Sequence, residues 1–416
     1  MVNPYVSVLR TPGAARFAIS GFVGRMPMSM VTIAVLLVVL DRTGSYAIAG
    51  AASATATCTQ AAVAPLLGRL VDGRGQTAVV PGLLALFLSG IALVVGSALA
   101  DGPTALLFLG AVLSGAGLIP YGALVRSRWA HLLPAGEGRL STALALESVA
   151  DEAVFVVGPV LVTGLAAIDP LLGPLAAAVL ATAGTAVFLG ARSSEPPRRT
   201  GGRGRPARSF PGLWVVVVSS VLIGTVFGNI EVAIVAFARR EDVPGLSGVL
   251  LGLIAFGSML SGLWYGTRAW RRDLAERYRI TLTTLALGAL PAVVAPSLLW
   301  MAPASLLVGL SIAPTLIASN GLVARIMPAA SRTEGFSWQS AAINVGAAAG
   351  SALGGLLIQA FGVRAGFVAV PTAAAFGALV AGGGARWLGP TPDKGADEVV
   401  GPTAAGPTEV CSPVQP

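Results

Sequence analysis

Pro65-Leu66-Leu67-Gly68-Arg69-Leu70-Val71-Asp72-Gly73-Arg74-Gly75-Gln76 is a short charged stretch wedged between two long apolar runs, Tyr46 to Leu67 and Val79 to Leu99. Arg69, Asp72 and Arg74 are too costly to leave in hydrocarbon, so the chain is expected to leave a membrane here and turn straight back. Glycines at 68, 73 and 75 suit a tight turn, because glycine adopts backbone angles closed to other residues. Composition supports the membrane. With 55% hydrophobic and 11% charged residues among 416, and a mean hydropathy of +0.80, there is too little polar surface to cover a soluble particle.

Outward from this stretch, apolar runs of spanning length recur: Phe17 to Leu40, Tyr46 to Leu67, Val79 to Leu99, Thr104 to Val125, Leu140 to Ala167 and Leu171 to Gly190. Six more follow: Leu213 to Phe237, Leu246 to Trp264, Ile280 to Trp300, Ala304 to Ala324, Phe336 to Phe361 and Ala365 to Trp387. Each approaches the roughly 20 residues a helix needs to cross a ~30 Å core, and only helices satisfy their own backbone there. The fold class is therefore an all-α integral membrane protein of twelve transmembrane helices. The first run is too long for a signal-peptide core and no small-residue cleavage site follows it, so it is expected to stay as an anchor.

The net charge of +8 would suit a nucleic acid, but the arginines lie between apolar runs rather than on one face. They report topology, and no nucleic-acid partner is expected. Of the 27 basic residues, all but Arg25, Arg42, Arg239, Arg240 and Arg364 fall on one side. The positive-inside rule then puts both termini in the cytoplasm of a multi-pass protein of the cell (inner or plasma) membrane. Cys58 lies in an apolar run and Cys411 in the tail, so no disulfide framework is expected.

These features divide the chain into a cytoplasmic N-terminal tail (1–16), a six-helix bundle (17–191), a basic cytoplasmic linker (192–211), a second six-helix bundle (212–387) and a disordered cytoplasmic tail (388–416). The linker carries Pro196, Pro197, Pro206 and six arginines among Gly and Ser, and reads as solvated, its cations near anionic headgroups. An internal repeat supports the division. A shift of 194 lays Gly68 on Gly262, Arg74 on Arg268, Gly115 on Gly309 and Pro120 on Pro314, and a shift of 193 lays Arg139 on Arg332 and Asp151 on Asn344.

Gly68-x-Leu70-x-Asp72-x-x-Gly75 resembles the signature between the second and third helices of the major facilitator superfamily. The chain departs from it at Gly73, where the family has a basic residue and this chain has Arg74 one place late, and at Gln76, the closing basic position. The resemblance, which extends from Phe17 to Trp387, implies two pseudo-symmetric six-helix bundles in one orientation, with substrate between them near midplane. It also implies a cytoplasmic gate at Gly68, Leu70, Asp72, Arg74 and Gly75. Asp72 would lie near the start of run eleven, around Gly335 and Phe336, held by Arg126 or Arg128. Gly158-Pro159 followed by Gly164 resembles a fragment of the drug/proton antiporter signature of the fifth helix, although Val154 stands where that pattern has a glycine. Gly346, Gly350 and Gly354 form one stripe on run eleven, and run two is rich in small residues from Ala47 to Ala54. In the family these helices meet between the halves, so the stripes read as a sliding seam, with static packing as the alternative.

Chemistry is expected on the few ionisable groups inside spans, each costing about 2.5–3.5 kcal/mol to insert. Arg25 lies about 12 Å into run one at 1.5 Å per residue. Glu147 and Asp151 share a face of run five, while Glu152 points about 100° away from Asp151. An Arg25 ion pair with Glu147 and Asp151 is expected, as part of the coupling machinery or as a packing clamp. Three acids against one base leave a carboxylate free to carry a proton, so Asp151, Glu152, Glu147 and, toward the outer end of run seven, Glu231 are the proton-coupling candidates.

No catalytic residue, metal site or cofactor is expected. His131 has no acid or cysteine near it in sequence, and no phosphate-cradling P-loop sequence occurs. The expected function is secondary active transport, namely proton-coupled export of a small amphipathic molecule by a monomer in a lipid bilayer. Proton-coupled import of a small polar solute and a non-transporting membrane sensor are the alternatives.

Overall fold

The computed structural model describes residues 4–133, 138–197, 206–243 and 246–389, and these are helical almost throughout. A short α1 (Pro4–Leu9) precedes α2 (Ala14–Thr43), α3 (Tyr46–Arg74), α4 (Gln76–Leu99), α5 (Thr104–Gly117), α6 (Tyr121–Leu132), α7 (Gly138–Ala166) and α8 (Leu172–Leu189). The second half holds α9 (Pro211–Arg240), α10 (Ser247–Thr267), α11 (Leu274–Val294), α12 (Leu298–Ile326), α13 (Arg332–Phe361) and α14 (Val363–Gly383). Among the described residues, 10 helical segments are long and apolar enough to cross a membrane, α5 and α6 counting as one. This is a multi-pass membrane protein. Of the long helices, α3 and α11 fall short of that measure. Ser53, Thr55, Thr57, Thr59 and Gln60 dilute the apolar content of α3, and Glu276, Arg277 and Arg279 lie in the first turns of α11.

Several expectations need correction. The charged stretch is not a loop: α3 continues through Gly68 and Gly73 to Arg74, and the reversal is made at Gly75, whose φ of 89° suits glycine. Asp72 and Arg74 are thus held on a rigid helix end. The fourth run is broken at 118–120, where Pro120 follows the weak helix formers Gly115 and Gly117. Its repeat partner Pro314 follows Ser311-Ile312-Ala313 and stays within a continuous α12. The ninth run ends at Val294, and Trp300 belongs to α12.

The expected N-terminal tail is packed rather than loose. Val8 of α1 is buried, and the Tyr5 hydroxyl donates to the Leu263 carbonyl at 2.6 Å. The ends of the linker are not solvated either: Ser194 and Ala207 are buried, and Glu195 accepts from the Thr77 N–H at 3.0 Å at the start of α4. Residues 198–205 and most of the expected C-terminal tail, with Cys411, lie outside the described residues. Leu388, placed in that tail by sequence, is buried, and its carbonyl accepts from Arg325.

Each half has its own apolar core, one drawn from α2–α5, α7 and α8 and one from α9–α12 and α14. A third core, from Val8 to Leu388, joins both halves at the end that carries the described termini. Lipid tails are as apolar as leucine, so close backbone contact and hydrogen bonds must hold such helices together. Gly115 lies against the backbone of Ala56 on α3 as Gly309 lies against Ile254 on α10, so the repeat reappears as equivalent helix crossings. The glycine stripe of α13 does not form the seam between halves. Gly346, Gly350 and Gly354 face Val221, Thr225 and Asn229 of α9, and Gly224 and Gly228 of α9 face Ile343 and Ala347 in return. A Cβ at any of these would overlap its neighbour, so the stripe locks two helices of one half together.

Candidate functional site

Four charges from three helices form a closed set inside the first half. Arg25 of α2 donates through Nη2 to Glu147 and through Nη1 to Asp151 at 2.6 Å, and its Nε reaches the Gly21 carbonyl at 3.3 Å. Arg126 of α6 donates to the other oxygen of Asp151. Trp129, one turn along α6, donates its indole N–H to the other oxygen of Glu147 at 3.0 Å. Arg25 and Glu147 are each 2% exposed, whereas Asp151 keeps 27%. Two guanidinium groups thus balance two carboxylates, each carboxylate bridged on both oxygens. Removing one member would leave a buried charge uncompensated, at about 3–5 kcal/mol.

Arg126 is a correction to the gate assignment, because it serves Asp151 rather than Asp72. Arg126 and Trp129 stand at i, i+3 on one face of α6, and both reach carboxylates of α7. Arg128 does not hold Asp72 either. Fully buried, it donates to Gln76 Oε1 at 2.6 Å, the Ala191 carbonyl at 2.8 Å and Ser194 Oγ at 2.9 Å, with its guanidinium carbon 3.8 Å from the Phe188 ring centroid. Gln76, where the superfamily signature is basic, is therefore an acceptor for a buried arginine.

Asp72 is buried against the start of α13, accepting from the N–H of Thr333 at 3.2 Å and of Glu334 at 2.8 Å. These groups lie one or two residues before the expected Gly335 and Phe336, since α13 begins at Arg332. The first N–H groups of a helix have no partner within it and carry partial positive charge, so a carboxylate suits them. Gly68 makes the approach possible: a Cβ there would meet Thr333, Glu334 and Ser337. Further hydrogen bonds cross between the halves at the same end, from Arg332 Nη1 to the Ala130 carbonyl at 2.9 Å and from Thr142 to the Gly266 carbonyl.

Glu152 stands apart from the four-charge set. Its Oε1 accepts from Ser258 of α10, in the other half, at 2.6 Å, and no cation lies within ion-pair distance among the described residues. The surplus acid expected near Arg25 is thus Glu152 alone. Neither Ser258 nor Trp129 had a signal in sequence, since a serine in an apolar run is ordinary. Glu231 is exposed on α9 and makes no ion pair or hydrogen bond through its side chain among the described residues. Gly158 closes α7 onto Ser29 of α2, whose hydroxyl donates to the Val154 carbonyl at 2.9 Å; Pro159 follows within α7.

No family model and no curated protein matches this sequence. Solved structures do. A bacterial homologue of the iron transporter ferroportin in the outward-facing state superposes with a TM-score of 0.72 at 17% identity, over 90% of this chain and 99% of the other. The same homologue with soaked iron gives 0.71 at 18% identity, over 90% and 98% of the two chains. This chain has the major facilitator fold. The human organic anion transporter MFSD10 (TETRAN) is similar too, at a TM-score of 0.67 and 16% identity over 88% of this chain and 99% of the other. Within the major facilitator fold, α3 packs on α13 and α7 on α10 across the two halves, the contacts that Asp72 and Glu152 occupy.

Proposed function

We propose that this protein is a proton-coupled secondary transporter of the major facilitator type, exporting a small amphipathic molecule by alternating access. In this reading α3 and α11 also span, giving twelve helices in two bundles (17–191 and 212–387) joined by 192–211, with both termini cytoplasmic in the cell membrane of a monomer. The observation that carries it is Glu152, a carboxylate inside a spanning helix that accepts a hydrogen bond from Ser258 in the other half. A proton on Glu152 changes what that oxygen can accept, so protonation and closure of the halves are linked. The fixed charges of Arg25, Arg126, Glu147 and Asp151 cancel one another, which leaves few free cations in the spans to demand an anionic substrate. Gly158-Pro159 favours export over import.

Purified protein in proteoliposomes with an imposed pH gradient tests the reading, with amphipathic cations and neutral drugs as candidate substrates. Glu152→Gln is expected to abolish gradient-driven movement while leaving exchange at equal pH. Gradient-driven transport unchanged in Glu152→Gln would remove this carboxylate from coupling.

A further inference from the structure

We propose that the cleft between α10, α11 and α12, at the end carrying the described termini, is a binding site for an anionic phospholipid, its phosphate on Arg277 and an acyl chain along α11. The inference rests on the chain's spanning a membrane and not on the transport reading.

The cleft encloses about 420 Å³. Arg277 forms its polar end. Its Nε and Nη2 both donate to the Tyr265 hydroxyl, at 2.9 and 2.6 Å, and its guanidinium carbon lies 5.0 Å from the Trp270 ring centroid. Trp270 is itself fixed, its indole N–H donating to the Tyr265 carbonyl at 3.1 Å. The guanidinium is therefore oriented before any ligand arrives, it has no carboxylate partner among the described residues, and Nη1 makes no hydrogen bond to them. A phosphate oxygen is the complement of such an edge.

The surroundings select for negative charge at a membrane surface. Between 268 and 279 the chain carries Arg268, Arg271, Arg272, Arg277 and Arg279 against Asp273 and Glu276, and Asp273 is engaged by Arg325. Trp264, half exposed, packs edge-on against Trp270 at 5.9 Å, placing two indoles where headgroups meet hydrocarbon. From Arg277 the cleft runs past Thr284 to Pro314 of α12, and the seven residues from 277 to 284 span about 10 Å of helix. A soluble anion would use the cation and leave this apolar length empty, whereas a phospholipid fills both. Basic pockets between helices on the cytoplasmic side are a known form of lipid recognition.

Native mass spectrometry of the full chain, released from detergent with equal phosphatidylglycerol and phosphatidylcholine, tests the site. Wild type is expected to retain phosphatidylglycerol at least fivefold over phosphatidylcholine. Arg277→Gln should reduce that preference toward unity, and Arg208→Gln, in the separate α9/α14 groove, should leave it intact. Thr284→Trp, which fills the apolar part and spares the cation, should also lower retention, so the result does not depend on Arg277→Gln folding well. Equal retention of the two lipids by wild type would overturn the proposal. So would preference unchanged in both cleft variants, or displacement of the lipid by millimolar inorganic phosphate.

Discussion

Asp72→Asn isolates one of the contacts that hold the halves together at one end. Asp72 accepts two backbone N–H groups of α13, at 3.2 and 2.8 Å, from a buried position. Asparagine keeps one carbonyl oxygen for one N–H, turns an amide N–H₂ toward the other and removes the charge that complements the helix start. Hydrogen bonds to charged groups contribute about 1.5–3 kcal/mol each, and the helix terminus up to ~2 kcal/mol when partly buried. A net loss of about 2 kcal/mol changes the ratio of closed to open forms about thirtyfold, at 1.4 kcal/mol per tenfold. Spin labels at Arg139 and Arg271, exposed positions of opposite halves at this end, would report it by double electron–electron resonance with Cys58 and Cys411 replaced by serine. The expected result is a new, longer-distance population in Asp72→Asn. An unchanged distance distribution in a folded variant would show that Asp72 contributes nothing to closure and refute the reasoning.

Arg25→Met should destabilise the protein by about 3–5 kcal/mol in chemical unfolding, because Glu147 keeps only its Trp129 donor; Arg25→Met with Glu147→Gln should recover part of that loss. Gly228→Ala should lower the melting temperature in detergent by an amount equivalent to about 1–3 kcal/mol, since its new methyl meets the Ala347 carbonyl. Gly355→Ala, with open space around its Cβ, should be neutral or stabilising through helix propensity. Asp273 is held below the usual carboxylate range chiefly by its hydrogen bond from Arg325, so its contribution is present above the unfolded value near 4 and lost as pH falls through its folded value. Melting curves of wild type and Asp273→Asn should therefore converge on acidification below about pH 4, with a small gap at neutral pH because the side chain is 61% exposed.

The membrane class and the succession of long apolar helices were legible because hydrocarbon imposes its thickness on every crossing segment, and a run of twenty apolar residues survives any packing arrangement. The Arg25 contact with Glu147 and Asp151 was legible for a related reason: few charges enter the spans, and matched depth on nearby helices leaves few pairings. Asp72 at the start of α13 came from resemblance to a superfamily signature rather than from its own chemistry.

Three-dimensional packing decided the rest. Nothing in the sequence separated Asp72 from Asp151 as the partner of Arg126, and the packing of α6 beside α7 puts the guanidinium on Asp151. The stripe of Gly346, Gly350 and Gly354 marks a close helix contact but not its partner, because glycine accepts any backbone; the facing Gly224 and Gly228 assign it to α9. Glu152 was one acid among three until Ser258 of the other half came within 2.6 Å. Sequence by itself determined which residues must leave water and which cannot do so alone, since transfer free energy is a property of the residue. Which neighbour then satisfies each buried charge depends on helix rotation and crossing, and these arise from the summed packing of the whole bundle.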